Sequence, residues 1–176
     1  MIKIIAIIMA LLIGFTTVGC SNTDTTVDNS SQGKQETSYD KNINEAYDLI
    51  KESMEEEQND EMVYEFEKAS DGIVIKLGLV DVETFKKIAR EMSKEEVHEL
   101  FDPSIDDLQG KLNAISVGLR RRGVENADNI NVYMDICLSD ENKKLVDLIY
   151  SISTKDGIIL DDLDRALDEY SSGDSI

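Results

Sequence analysis

From Ile130 to Leu138 the chain alternates without a break. Ile130, Val132, Met134, Ile136 and Leu138 share one side, and Asn131, Tyr133, Asp135 and Cys137 share the other. A period of two is the repeat of an extended strand, and an aliphatic set on one side alone requires a cover on that side. The rest of the sequence must therefore supply partner strands and a layer to bury these five side chains. Met62–Glu67 and Ile73–Leu79 alternate in the same way on either side of Ser70-Asp71-Gly72, and read as a hairpin. Leu145–Ser153 and Ile158–Leu160 flank Thr154-Lys155-Asp156-Gly157, a second hairpin signal.

The cover comes from segments with helical spacing. Asn42–Met54 carries Ile43, Tyr47, Ile50 and Met54 on one stripe, and Asn42 with Glu45 resembles a capping box. Asp81 can cap a helix over Val82–Met92, with Phe85, Ile88 and Met92 inward. Ser93 with Glu96 forms a capping box for a short helix ending near Phe101. Asp102-Pro103 reads as a fresh start, because proline suits the first helical position. Its stripe is Ile105, Leu108, Leu112, Ile115 and Leu119, its last turn holds Arg120, Arg121 and Arg122, and Gly123 closes it. A terminal helix over Asp161–Tyr170 turns Leu163, Ala166, Leu167 and Tyr170 inward. Segregated runs of this kind predict an α+β fold, an antiparallel sheet of about four to five strands with helices packed on one face. The folded domain is placed at residues 41–170, with a loose tail at 171–176.

The N-terminus is of a different kind. Lys3 is followed by an apolar run from Ile4 to Phe15, 12 residues long. That is shorter than the ~20 residues a helix needs to span a bilayer. Thr16-Thr17-Val18-Gly19 then leads into Cys20, and the chain turns abruptly polar. Positive end, short apolar core and small residues at the cut make a secretory signal over residues 1–19. The tetrad Thr17-Val18-Gly19-Cys20 resembles the lipobox of bacterial prolipoproteins, with Thr17 standing where leucine is usual. The resemblance covers only the leader and implies cleavage before Cys20, with the thiol carrying a diacylglycerol and acyl chains such as palmitate. Each buried methylene contributes about 0.8 kcal/mol, so two or more chains hold a protein where one does not. The implied location is the outer, extracytoplasmic face of the cell membrane, with lipid on Cys20 as the attachment. With Cys20 so used, Cys137 has no partner for a disulfide and the domain must stand on its core.

Residues 20–40 read as the lipidated cysteine and a spacer. Val27 is the one aliphatic side chain in 21–39, too little to offset the entropy of ordering. Such a tether reaches roughly 25 Å. The whole chain is strongly acidic: 37 acidic against 18 basic residues, net −19, and one unit more negative once Lys3 leaves with the leader. That balance repels nucleic acid and anionic head groups and attracts basic partners.

No motif for catalysis, cofactor or metal emerges. His98 is the only histidine and reads as a surface helix residue, since no nucleophile motif accompanies it. Cys137 reads as a buried, inert thiol. Arg120, Arg121 and Arg122 serve the helix end and form a weak candidate for partner docking; adjacent residues splay around a helix. The run Glu55–Glu61 reads as a solvated end and turn. Asp156, Asp161, Asp162 and Asp164 crowd near the second hairpin, the last three suiting the start of the last helix, and no Asp-x-Asp-x-Asp-Gly calcium loop is present. Gly110 and Gly118, eight residues apart near one helix face, read as a place for close packing. The expected function is a lipid-anchored, non-enzymatic binding or assembly module with a protein partner, basic by charge complementarity. An inhibitor or immunity-type lipoprotein that captures a basic toxin or hydrolase is one version. A carboxylate-dependent hydrolase without a recognisable motif is the alternative from another class, and a ligand-binding lipoprotein feeding a transporter is a third.

Overall fold

The computed structural model describes residues 38–55 and 63–172. The leader with Thr17, Val18, Gly19 and Cys20, most of the spacer, the Glu55–Glu61 run apart from Glu55 itself, and also Met62 and the last four residues lie outside the described residues. The described elements are α1 (Ser38–Glu55), β1 (Val63–Ala69), β2 (Gly72–Asp81), α2 (Val82–Glu91), α3 (Lys94–Arg121), a 3-10 turn (Ala127–Asn129), β3 (Asn131–Ser139), β4 (Leu145–Ser153), β5 (Gly157–Asp161) and α4 (Leu163–Ser171).

The fold is α+β, with a five-stranded sheet in the order β1-β2-β3-β4-β5. Both expected hairpins form, β1 with β2 and β4 with β5. The sheet is mixed, however, because β2 and β3 run parallel. Alternation reports which side a residue faces but carries no information on strand direction. Direction follows from the connection: α2 and α3 carry the chain back to the end from which β2 began, as a parallel neighbour requires. At that end Gly72 pairs with Asn131, and a Cβ on Gly72 would stand 1.8 Å from the Asn131 carbonyl oxygen.

Helices cover one face of the sheet. Ile73, Ile75, Leu77, Val132, Met134, Ile136, Tyr150 and Ile152 are buried there with Phe85, Phe101, Ile105, Leu108 and Leu112. Phe85 packs edge-on to both Phe101 and Tyr170, at centroid distances of 6.4 and 5.7 Å. The other face carries a polar row in register, Glu65, Lys76, Asp135 and Ser151. Ser151 Oγ donates to Asp135 Oδ1 at 2.7 Å, and Lys76 Nζ donates to Glu67 Oε1 at 2.6 Å.

Three helical expectations change. First, α1 begins at Ser38, so Ser38–Asp40 belong to the helix and not to the spacer, and Asn42 lies inside rather than at the cap. The earlier start is held by Tyr39, whose hydroxyl donates to the Asp71 carbonyl at 3.0 Å. Second, the break at Pro103 is absent, and α3 is one helix of 28 residues. Ser93 and Glu96 do form the capping box, and the buried stripe then runs unbroken through Val97, Phe101, Ile105, Leu108 and Leu112. An internal proline costs about 3 kcal/mol and leaves one carbonyl without its amide partner. That carbonyl belongs to Glu99, and Glu99 and Pro103 are both exposed, so water can satisfy it. A stripe that anchors both halves in one core outweighs the loss.

Third, Gly110 and Gly118 do not admit a close neighbour: a Cβ at either position would meet nothing within 4 Å among the described residues. Glycine then only weakens the helix. Gly110→Ala is expected to raise stability by about 0.5–1 kcal/mol, read as a higher urea midpoint at unchanged slope.

Candidate functional site: the acidic corner around His98

The N-terminal turns of α3 approach α4 beside β4 through Lys94, His98, Asp102, Asp164 and Asp168, three of them carboxylates. His98 sits between them. Its Nδ1 lies 3.1 Å from Asp102 Oδ1 on its own helix, and its Nε2 lies 3.4 Å from Asp164 Oδ1 on α4. Asp102 also accepts from the Tyr150 hydroxyl at 3.3 Å. One turn earlier on α3, Lys94 Nζ reaches Asp168 Oδ1 at 2.7 Å and Asp164 Oδ1 at 3.8 Å. On the far side of α4, Arg165 bonds Asp162, Asp147 and Glu169. Cations thus stitch α4 down at three points.

Both ring nitrogens of His98 face carboxylate oxygen, an arrangement that only the doubly protonated imidazolium satisfies in full. The Asp102 hydrogen bond is the largest influence raising the imidazole above its ordinary 6.5; partial burial opposes it, and Asp164 adds to the rise. A raised folded-state value means that the stabilisation is fully present below the unfolded imidazole range and fades as pH rises through the folded value. His98→Gln should therefore lose most stability relative to the parent below the ordinary imidazole value of 6.5, with the gap closing as pH rises above it, as read by urea unfolding across pH.

This geometry is a clasp between two helices. A general base needs a free nitrogen aimed at a proton, and here both nitrogens are engaged. The hydroxyl that bonds the clasp is that of Tyr150, and burial, ahead of the surrounding carboxylates, holds its proton more tightly than usual.

The other sequence candidates are dispersed. Cys137 is buried, and its thiol is pushed up to about 11, first by burial and then by Asp135, which keeps it protonated and unreactive at neutral pH. Arg120 and Arg121 occupy the last turn of α3, Arg122 is its C-cap, and Gly123 follows at φ 88°. Arg120 Nε lies 3.3 Å from Asp128 Oδ1, so one of the three arginines is turned to its own chain. The four C-terminal aspartates do not converge: Asp156 accepts from Ser153 Oγ, Asp161 from the Leu163 amide, Asp162 pairs with Arg165, and Asp164 faces His98. Among the described residues no group of three or more His, Cys, Asp or Glu side chains is disposed to hold a metal ion. No described helix is long and apolar enough to cross a membrane.

Neither carboxylate partner of His98 was legible in sequence: the expected break at Asp102-Pro103 set Asp102 outside the helix of His98, and Asp164 lies 66 residues away. No protein-family model, curated protein or solved structure matches this chain at a significant level.

Proposed function

We propose that this chain is a lipid-anchored, extracytoplasmic binding module, and that its folded domain captures a basic protein partner through the acidic side formed by α3, β5 and α4. The observation that carries the reading is the crowding of exposed carboxylates there. Asp102, Asp106, Asp107, Asp156, Asp161, Asp164 and Asp168 are all exposed, on a chain of net charge −19. A surface of one sign steers an oppositely charged partner and speeds its capture at low ionic strength. The lipobox-like Thr17-Val18-Gly19-Cys20 and the polar spacer support the location. Capture of a cationic toxin or hydrolase by an inhibitor or immunity-type lipoprotein fits the same surface. The hydrolase alternative has less support, because the carboxylates that meet at Asp102 and Asp164 are joined through His98.

The test is a photo-crosslinking residue placed at Asp106 in intact cells, alone and combined with Asp107→Asn and Asp156→Asn. One basic protein should be crosslinked at low salt, with the yield reduced by high salt and by the neutralised variant. No crosslinked protein, or a partner indifferent to salt and charge, would contradict the proposal.

A further inference from the structure

A sheet of five strands has two edges, and this one treats them differently. The β1 edge is blunted by charge: Glu65, Glu67 and Lys68 are exposed along it, and Lys68 Nζ is drawn inward to Asn44 Oδ1 at 2.6 Å and over the Tyr47 ring. Edge charges of this kind discourage further association. The β5 edge reads Gly157-Ile158-Ile159-Leu160-Asp161, with no charge and no proline before Asp161. Ile158 is 51% exposed and Ile159 50%. As the edge strand, β5 leaves both of these isoleucines half-exposed, and its register is irregular beside them: Ser151 pairs with Leu160 and Ile152 with Ile158, leaving Ile159 unmatched. The result is a short aliphatic step on an otherwise charged surface.

That step has an acidic rim. Asp156 and Asp161 close its two ends and are exposed. Along its flank runs α3, fixed there by Gln109 Nε2 donating to the Ser153 carbonyl at 2.8 Å and by Asp102 accepting from Tyr150. Asp102, Asp106 and Gln109 fall at helical spacings of four and three and so share one stripe. Lys155, in the turn that leads into β5, donates to the Asn129 carbonyl at 2.8 Å.

The geometry points to β5 as the docking site for an extended segment of the partner in which aliphatic residues alternate with lysine or arginine. This inference rests on the binding role proposed above. Aliphatic side chains would cover Ile158 and Ile159, and the basic ones would lie over Asp156, Asp161 and Asp106. A second copy of this chain is the poorer occupant. Antiparallel pairing of two β5 edges would set Asp156 of one against Asp161 of the other, on bodies that already repel.

The probe is a lysine–valine alternating peptide of strand length, with a glutamate–valine peptide as its counterpart, titrated onto the full chain in non-ionic detergent at low salt. The cationic peptide should bind saturably, shift the methyl signals of Ile158 and Ile159, and weaken about tenfold or more in the Ile158→Thr, Ile159→Thr double variant. Threonine keeps strand propensity, and far-UV circular dichroism checks the fold; the methyl shifts on the parent chain need no variant at all. Glu65→Gln with Glu67→Gln, at the other edge, should leave the affinity unchanged. Cationic binding that ignores the isoleucines, or that falls equally with the β1-edge variant, would overturn β5 as the site while leaving the acidic-capture reading intact. Concentration-dependent dimers abolished by the double variant would replace the partner with a second copy and also overturn it. Failure of the cationic peptide to bind at any salt would defeat both.

Discussion

Gly72→Ala is expected to destabilise the domain by about 3 kcal/mol or more, a large loss for the addition of a single methyl group. The reason is where the atom would go. Gly72 opens β2 opposite Asn131, the first residue of β3, and the added Cβ would stand 1.8 Å from the Asn131 carbonyl oxygen and 2.6 Å from its carbonyl carbon. Those are backbone atoms and cannot rotate away. Asn131 is itself tied down: its amide donates to the Asp71 carbonyl at 3.0 Å, and its side chain accepts from Thr154 Oγ1 at 2.9 Å. Relief would mean parting β2 from β3 at the parallel pairing, beside Ile73 and Val132, which are fully buried. Urea unfolding should show a midpoint well below the parent's, in contrast to the rise expected for Gly110→Ala. An unchanged midpoint would mean that the two strands do not approach in this way.

The second large effect concerns location. Cys20→Ser is expected either to reduce the membrane-retained fraction about tenfold or more, with the protein appearing in the medium, or to leave the chain unprocessed with its leader attached. A hydroxyl cannot take the place of a thiol in forming the thioether, and little else in the sequence would hold the chain at a bilayer. Its net charge of −19 repels anionic head groups, and no described helix can cross a membrane. Fractionation of cells carrying the two forms, at matched expression, measures this directly. Retention at the parental level with the mass of the processed parent would show that attachment does not depend on that sulfur.

Much of the fold was legible because burial here follows simple periods. Ile130–Leu138 alternates, and its even-numbered members are buried in the core. Asp81 caps α2 and Ser93 with Glu96 caps α3, both as their sequence signatures require. What escaped was set by tertiary context. The parallel β2–β3 pair depends on how two helices return the chain, and no local pattern encodes that. Pro103 looked like a beginning because proline is usual at a first turn; the continuous stripe across it overrode the local preference. The glycines of α3 looked like packing sites, yet their surroundings are open. The candidate site was less legible still. Its histidine is clasped by one carboxylate four residues away and another 66 residues away, and only the first is a helical neighbour. The β5 step was hidden because the exposure of Ile158 and Ile159 depends on β5 lying at the edge of the sheet, which the sequence of one strand does not reveal.

If fat on one sulfur moors an acidic receptor outside the cell membrane, the mature N-terminus must carry it. Mass spectrometry of the N-terminal peptide from the native, membrane-extracted protein tests this most directly. The expected result is a chain beginning at Cys20 and carrying a diacylglyceryl group on that residue. A chain still beginning at Met1, or a new terminus whose cysteine bears no lipid, would contradict it.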